Sequence, residues 1–223
     1  LNKRPTIVAH RGLHRSCAEN SLGAFLAAAE AGIPWVECDV WPSADGDPFI
    51  IHDETVDRTT PGVGPVAEYP SDQLRLLGLP SLGDLLQILP AKTGILCEIK
   101  PPGPRPIEPR PFLSRVVSEL SSRPGPWMYQ SFHLQNILFP MGSMAFLTDN
   151  PELLRGILES DCTVHPHYSL ITQPMVDSQH ALKKTIGTWT VNSPNDIQRM
   201  IDFGVDMIIT DEPELAMRMT ATR

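Results

Sequence analysis

Strand-like and helix-like runs alternate along almost the whole chain, and this alternation restricts the fold more than any other feature. The strand-like runs are TIVAHRG, WVECDV, GILCEIK, WMYQSF, MAFLT, CTVHP, TIGTWTVN and VDMIIT. Helix-like stretches follow each: Ser21–Ala31, LGDLLQIL, Leu113–Ser121, Leu134–Leu138, Glu152–Leu158, PMVDSQHAL, Asn195–Phe203 and Pro213–Met219. Glu19, Asn20 and Ser21 stand ready to cap the first helix. Repeated βα units in a chain of 223 residues predict an α/β fold of the (β/α)8 TIM-barrel type, with its site at the C-terminal ends of the strands. A doubly wound open sheet fits less well, because no glycine fingerprint follows the first strand.

One segment breaks the rhythm. In VECDVWPSADGDPFIIHD, Val36 to Asp53, only a few polar residues separate WVECDV from a second β-rich run, FIIHD. A parallel crossover needs roughly a dozen residues or more, so the pair must form an antiparallel hairpin turning at Asp45–Gly46. Residues 41–80 then become an insertion between the second strand and its helix, set over the barrel mouth, within a single domain spanning 1–223. The return strand carries His52 back towards Asp39. The proline-rich run PPGPRPIEPRP predicts a stiff loop after the third strand.

A formal charge of −8 argues against nucleic acid as partner, although a few local cations and a metal can still receive a small phosphate. The apolar runs are too short to span a bilayer, so no stable membrane insertion is expected. Cys17, Cys38, Cys97 and Cys162 have no metal-binding spacing and read as buried, reduced thiols, which predicts a cytoplasmic setting. The start at Leu1 is compatible with earlier removal of a leader. No motif specifies an oligomeric state.

The strand ends supply the chemistry. Glu37 and Asp39 share one face of their strand by two-residue alternation, and Glu98 and Lys100 repeat the spacing on the next parallel one. Three acids converging on one rim suit a hard divalent cation, Mg²⁺ or Ca²⁺, with Mn²⁺ also admissible. Taken pairwise, the same acids could simply form a salt-bridge layer with Arg11 and Lys100. His10 and His52, arriving from the first strand and from the hairpin, favour the functional reading: two histidines can act as base and acid across a bound phosphate. Arg11 offers that phosphate a planar fork and Lys100 a point charge. Together these residues describe phosphodiester cleavage better than carbonyl chemistry.

In chain order, AHRG, AENSLGAF, VECDV, FIIHDETVDRTTPGVG, CEIK, QSF, TWTVN and IITDEP resemble the glycerophosphodiester phosphodiesterase family from His10 to Pro213. The resemblance implies a (β/α)8 barrel with a small insertion after the second strand. It implies a divalent metal on Glu37, Asp39 and Glu98, His10 and His52 as general acid and base, and phosphate contacts from Arg11 and Lys100. It implies that Glu19 holds a neighbouring active-site residue, His10 or Arg11, and that Phe132 and Trp189 line a pocket for the glycerol carbons. For those two, core packing is nearly as good an explanation. Ala18 replaces a frequent proline, His133 follows the SF pair, and Trp41–Pro42 and the proline-rich loop are also unusual. These departures bear on the leaving group and the metal, not on the reaction class.

The expected reaction is metal-dependent hydrolysis of a small-molecule glycerophosphodiester to an alcohol and sn-glycerol 3-phosphate through a cyclic phosphate. The metal would bind a phosphate oxygen and the glycerol 2-hydroxyl, one histidine would deprotonate that hydroxyl, and the other would protonate the departing alcohol. A lysophospholipase D-type lipid phosphodiesterase is the nearest rival. A non-catalytic, metal-stabilised binding module ranks lower, since both histidines and all three acids are present.

Overall fold

The computed structural model describes residues 4–101, 109–134 and 142–221. Nine strands in the described residues form one sheet: β1 (Thr6–Ala9), β2 (Trp35–Pro42), β3 (Pro48–Ile50), β4 (Gly94–Ile99), β5 (Trp127–Ser131), β6 (Met144–Thr148), β7 (Thr163–Pro166), β8 (Gly187–Thr188) and β9 (Met207–Thr210). Eight of them run parallel in the order β7-β6-β5-β4-β2-β1-β9-β8, and β3 pairs with β2 off that path. The circle closes between β7 and β8 through two isolated parallel bridges, Val164 with Ile186 and His167 with Trp189. The expected barrel is present, drawn together by single bridges along one seam.

Helices α1 (Leu22–Glu30), α2 (Ser71–Leu76), α3 (Leu82–Ile88), α4 (Pro109–Ser122), α5 (Pro151–Leu158), α6 (Gln173–Ala181), α7 (Pro194–Phe203) and α8 (Pro213–Ala221) accompany the strands. Ser21, Ser81, Asn150, Thr172 and Ser193 each cap a helix through a side-chain oxygen that accepts from the first turn. In α1, Ala24, Phe25, Ala28 and Ala29 form the buried stripe. The small residues let this helix approach so closely that a Cβ on Gly12 would lie 2.7 Å from the Ala24 backbone.

Alternation along the strands builds two layers. Val36, Cys38 and Val40 of β2 and Ile95, Cys97 and Ile99 of β4 point outwards into the main core, where they meet Phe25, Val116 and Leu120. A second outer cluster gathers Val164, Ile186, Ile197 and Ile208. Inside the barrel, Val8, Leu96, Met207 and Ile209 make an apolar floor with Trp35. Two residues beyond Val8, Leu96 and Ile209 the inward positions are His10, Glu98 and Asp211, and β2 contributes Glu37 and Asp39 after Trp35. An apolar floor with a charged layer above it is therefore written into the period-two pattern.

The hairpin forms as expected, with Val40 opposite Ile50 and Trp41 opposite Phe49. Its turn closes through Gly46 N–H donating to the Ser43 carbonyl, with Gly46 at φ 80°. Trp41, Phe49, Ile51, Val56, Val66, Leu74 and Leu79 give this segment a small core of its own. Three details differ from expectation. His52 lies two residues beyond β3 rather than within it, α2 and a 3-10 turn at Val66–Glu68 occupy ground that reads as irregular, and β8 is only two residues long. All but the first residue of the helix expected at Leu134–Leu138, and most of the proline-rich loop, lie outside the described residues.

Candidate active site

Glu37, Asp39 and Glu98 meet on the barrel's inner face. Asp39 and Glu98 are direct register partners across β2 and β4. All three are buried, and one oxygen from each lies within 4.8 Å of the others. Like charges at that spacing repel by roughly 3–4 kcal/mol per pair at an effective dielectric of 20. Lys100 Nζ stands 2.8 Å from Asp39 Oδ1 and also reaches Glu98 Oε1. Lys100 is the one cation within ion-pair distance of Asp39 Oδ1 among the described residues. Arg11 Nε is 3.4 Å from Asp39 Oδ2.

Two cations do not neutralise three acids. Burial, then the neighbouring carboxylates, raises Glu37 well above the usual carboxylate range. Burial and the Asp39 charge push Glu98 up to about 7. Burial works the same way on Asp39, but Lys100, Arg11 and His52 outweigh it and keep Asp39 low. Hard oxygen donors within 4.8 Å of one another and a shortfall of positive charge both fit a divalent cation. The salt-bridge layer is real as well: the same acids hold Lys100 and Arg11 in place.

The backbone around Arg11 is strained to deliver its groups. Arg11 and Asn20 both have φ of 55°, in the left-handed region, and the Asn20 N–H donates to the Arg11 carbonyl at 3.0 Å. For a residue such as Arg11 that conformation costs about 1–2 kcal/mol. In exchange the Arg11 N–H donates to Glu37 Oε2 at 3.1 Å, and Asn20 Nδ2 donates to Asp39 Oδ2 at 2.8 Å. Both contacts fix the rotamers of the acidic cluster from the β1–α1 loop.

Each candidate histidine is held by a carboxylate through Nδ1. His10 Nδ1 is 2.7 Å from Asp211 Oδ1, which His14 Nε2 also approaches at 3.1 Å. Asn192 Nδ2 donates to the other Asp211 oxygen at 2.6 Å. Burial alone would raise Asp211, but the His10 contact, Asn192 and His14 hold it far below its ordinary value. On the hairpin side, His52 Nδ1 is 2.7 Å from Asp53 Oδ1, and Trp41 Nε1 donates to the His52 carbonyl at 3.0 Å. The Arg58 contact, followed by His52, lowers Asp53 to about 2. Burial lowers His52, with help from the Lys100 and Arg11 charges and against the pull of Asp39. That coupling to Asp39, Lys100 and Arg11 places His52 in the field of the acidic cluster.

Glu19 Oε1 accepts from Arg11 Nη1 at 3.0 Å, so its partner is Arg11 rather than His10. Phe132 and Trp189 meet edge to face, with centroids 5.1 Å apart, and Trp189 Nε1 donates to the His165 carbonyl. Phe132 remains 38% exposed, while Trp189 packs against the inner apolar cluster of Val8, Leu96, Met207 and Ile209. The structure thus brings every expected residue to the C-terminal rim.

The Glycerophosphoryl diester phosphodiesterase family matches residues 10–139 and 141–215. The chain belongs to this family. A glycerophosphodiester phosphodiesterase of Caldanaerobacter subterraneus subsp. tengcongensis is 29% identical, covering 96% of each chain. Another, from Bacillus altitudinis, is 28% identical over 96% of this chain and 97% of its own. Among solved structures, an Oleispira antarctica phosphodiesterase in complex with the product sn-glycerol-3-phosphate superposes with a TM-score of 0.82 at 23% identity, covering 99% of this chain and 98% of that one. At that identity the likeness concerns the fold. Family membership places the chain among phosphodiester hydrolases.

Asp53, Arg58 and Asp211, with His14 and Asn192 further out, also surround this site without a sequence motif that marks them, and Asn20, expected as a capping residue, instead holds Asp39 while Ser21 caps the helix. A signal for Asp211 existed, because it follows the last residue of β9 just as His10 follows β1. Asp53 and Arg58 lie within the same HDETVDRTT run that supplied His52. Among the described residues no helix is long and apolar enough to cross a membrane.

Proposed function

We propose that the chain hydrolyses small glycerophosphodiesters to an alcohol and sn-glycerol 3-phosphate, with His10 and His52 exchanging protons on either side of the phosphate. The observation that carries this reading is the pair of Nδ1–carboxylate contacts, His10 with Asp211 and His52 with Asp53, flanking a buried three-acid cluster. A carboxylate on Nδ1 fixes the tautomer, leaves Nε2 as the working nitrogen and stabilises the imidazolium that forms during turnover.

Arg11 and Lys100 bind and orient the phosphate. One histidine takes the proton of the glycerol 2-hydroxyl, whose oxygen attacks phosphorus and closes a five-membered cyclic phosphate. The other histidine delivers a proton to the departing alcohol oxygen as the P–O bond breaks. Water then opens the ring with the proton roles reversed. An attacking hydroxyl already tethered to the phosphate gains the effective molarity of an intramolecular reaction. Glu37, Asp39 and Glu98 would hold Mg²⁺ or Ca²⁺, which when bound supplies Lewis-acid polarisation of the phosphate and acidifies the hydroxyl. Phe132 and Trp189 would face the glycerol carbons, and Glu19 would keep Arg11 in register.

The whole chain would act as one phosphodiesterase domain, with residues 41–80 standing over the mouth. Its free cysteines suit the reducing cytoplasm, and its product would feed glycerol and lipid metabolism. Exposed Val63 and Leu76 on the insertion favour a second reading, a lysophospholipase D-type activity. Choline release from lysophosphatidylcholine at rates equal to those for glycerophosphocholine would establish it. The main reading is tested by His10→Ala and His52→Ala. Each should lose kcat by about a hundredfold or more with metal affinity retained. Full activity in either variant would remove that histidine from the mechanism.

A further inference from the structure

Arg58 joins the two halves of the site. Its Nε donates to Asp53 Oδ2 at 2.5 Å, and its Nη2 reaches Asp53 Oδ1 at 3.2 Å and Glu19 Oε1 at 2.5 Å. Those two carboxylates hold the residues assigned to proton transfer and phosphate binding: Asp53 Oδ1 contacts His52 Nδ1, and Glu19 Oε1 accepts from Arg11 Nη1. A continuous chain of charge-assisted contacts therefore runs Arg11–Glu19–Arg58–Asp53–His52. Its ends lie on different parts of the fold. Arg11 and Glu19 belong to the β1–α1 loop of the barrel, whereas His52, Asp53 and Arg58 belong to the insertion.

We propose that Arg58 is a positioning residue that sets the separation and orientation of His52 relative to Arg11, so that proton transfer and phosphate binding are aligned across the seam between barrel and insertion. The inference rests on the catalytic reading given above for those two residues. A guanidinium is suited to the task because its planar fork engages one carboxylate through two nitrogens while an outer nitrogen reaches a second. A lysine, as a compact point charge, cannot keep both geometries. Arg58 is about half exposed, and ion pairs of that exposure contribute little to stability. Its effect should therefore appear in turnover rather than in unfolding.

The experiment measures kcat and KM for glycerophosphocholine hydrolysis in Arg58→Met, Arg58→Lys, Asp53→Asn, Glu19→Gln and the doubles R58M/D53N and R58M/E19Q, with thermal melts alongside. Arg58→Met should lower kcat roughly ten- to a hundredfold, as for other outer-shell partners that orient a functional group, while melting within a few degrees of wild type. Arg58→Lys should recover part of that loss. In both cycles the double variant should fall well short of the product of the single losses, because each carboxylate and Arg58 act through one chain of contacts. Wild-type turnover in Arg58→Met overturns the proposal, and so does multiplicative behaviour in either cycle. His52→Ala and Arg11→Met serve as references. If both retain full activity the catalytic reading fails; if they are impaired while Arg58→Met is not, the clamp alone fails.

Discussion

His10 and Asp211 stand 201 residues apart in sequence and 2.7 Å apart in space, at the ends of the adjacent parallel strands β1 and β9. The contact presents a protonated Nδ1 to the carboxylate and leaves Nε2 as acceptor. Asp211→Asn keeps the shape but removes the charge that stabilises a protonated His10. The expected result is a fall in kcat of ten- to a hundredfold or more, with KM changed less than about threefold. Steady-state kinetics on the purified variant check it. An Asp211→Asn enzyme with wild-type kcat would mean that His10 does not carry charge during turnover.

Gly12 separates the strained Arg11 from α1. It sits at φ 82°, and an added Cβ would meet Ala24 backbone atoms at 2.7 and 2.9 Å. Backbone cannot step aside as a flexible side chain can. Gly12→Ala should destabilise the protein by about 2–4 kcal/mol, combining overpacking with an unfavourable left-handed φ. Urea unfolding of variant and wild type measures the difference, and a loss below about 1 kcal/mol would show that α1 is not anchored against this loop.

The acidic cluster makes an opposite prediction for stability and binding. Glu98, pushed up to about 7 by burial and Asp39, contributes stability that is present at low pH and lost as the pH rises through that value. At pH 8 and without metal, Glu98→Gln should therefore be more stable than wild type, by on the order of 1 kcal/mol. Wild type should gain about 5–10 °C in Tm when Mg²⁺ or Ca²⁺ reaches a hundredfold excess over Kd, and Glu98→Gln should lose that response. Calorimetric scans with EDTA and with added cation distinguish this from a purely structural salt-bridge layer, in which the variant would melt lower and the metal would do nothing.

His165 is fully buried on β7, with Nδ1 2.9 Å from Gln130 Oε1, and burial lowers it to about 4. The unfolded chain takes up a proton near pH 6.5 that the folded chain refuses until about pH 4, so stability falls as pH drops through that window. Between pH 7 and 5 this group should cost the wild type about 2 kcal/mol. His165→Gln removes that slope. Comparing the two proteins by urea unfolding at both pH values cancels the opposing contribution of Glu37 and Glu98. Parallel pH dependences would place a proton on His165 in the folded state.

The barrel and the metal-type cluster were legible because both are periodic. Alternation marks the strands, and the same period puts Glu37 beside Asp39 and aligns both with Glu98. The hairpin followed from loop length alone. Asp211, Asp53 and Arg58 carry no such signal, because their roles depend on contacts between distant strand ends and between an insertion and a loop, which no local pattern records. α2 escaped for a different reason: six residues behind Pro70, in a stretch broken by glycine and proline, carry too little helical period. In TIGTWTVN the strand character was correct but its extent was not. Only Gly187 and Thr188 pair continuously with β9, while Ile186 and Trp189 make single bridges to the β7 side. Glycine at 187 is what leaves room for the buried His165 ring, since a Cβ there would lie 2.6 Å from it.

Metal-dependent cleavage of a glycerophosphodiester is the reaction proposed for the rim formed by His10, His52 and the three acids. Its most direct test is release of sn-glycerol 3-phosphate from glycerophosphocholine, first with EDTA and then with Mg²⁺, Mn²⁺ or Ca²⁺ restored. Wild type should be silent with EDTA and regain release with the metal, whereas Glu37→Gln should not regain it. Folded protein that releases no sn-glycerol 3-phosphate with any of these ions, or that releases it equally well in EDTA, would contradict metal-dependent cleavage.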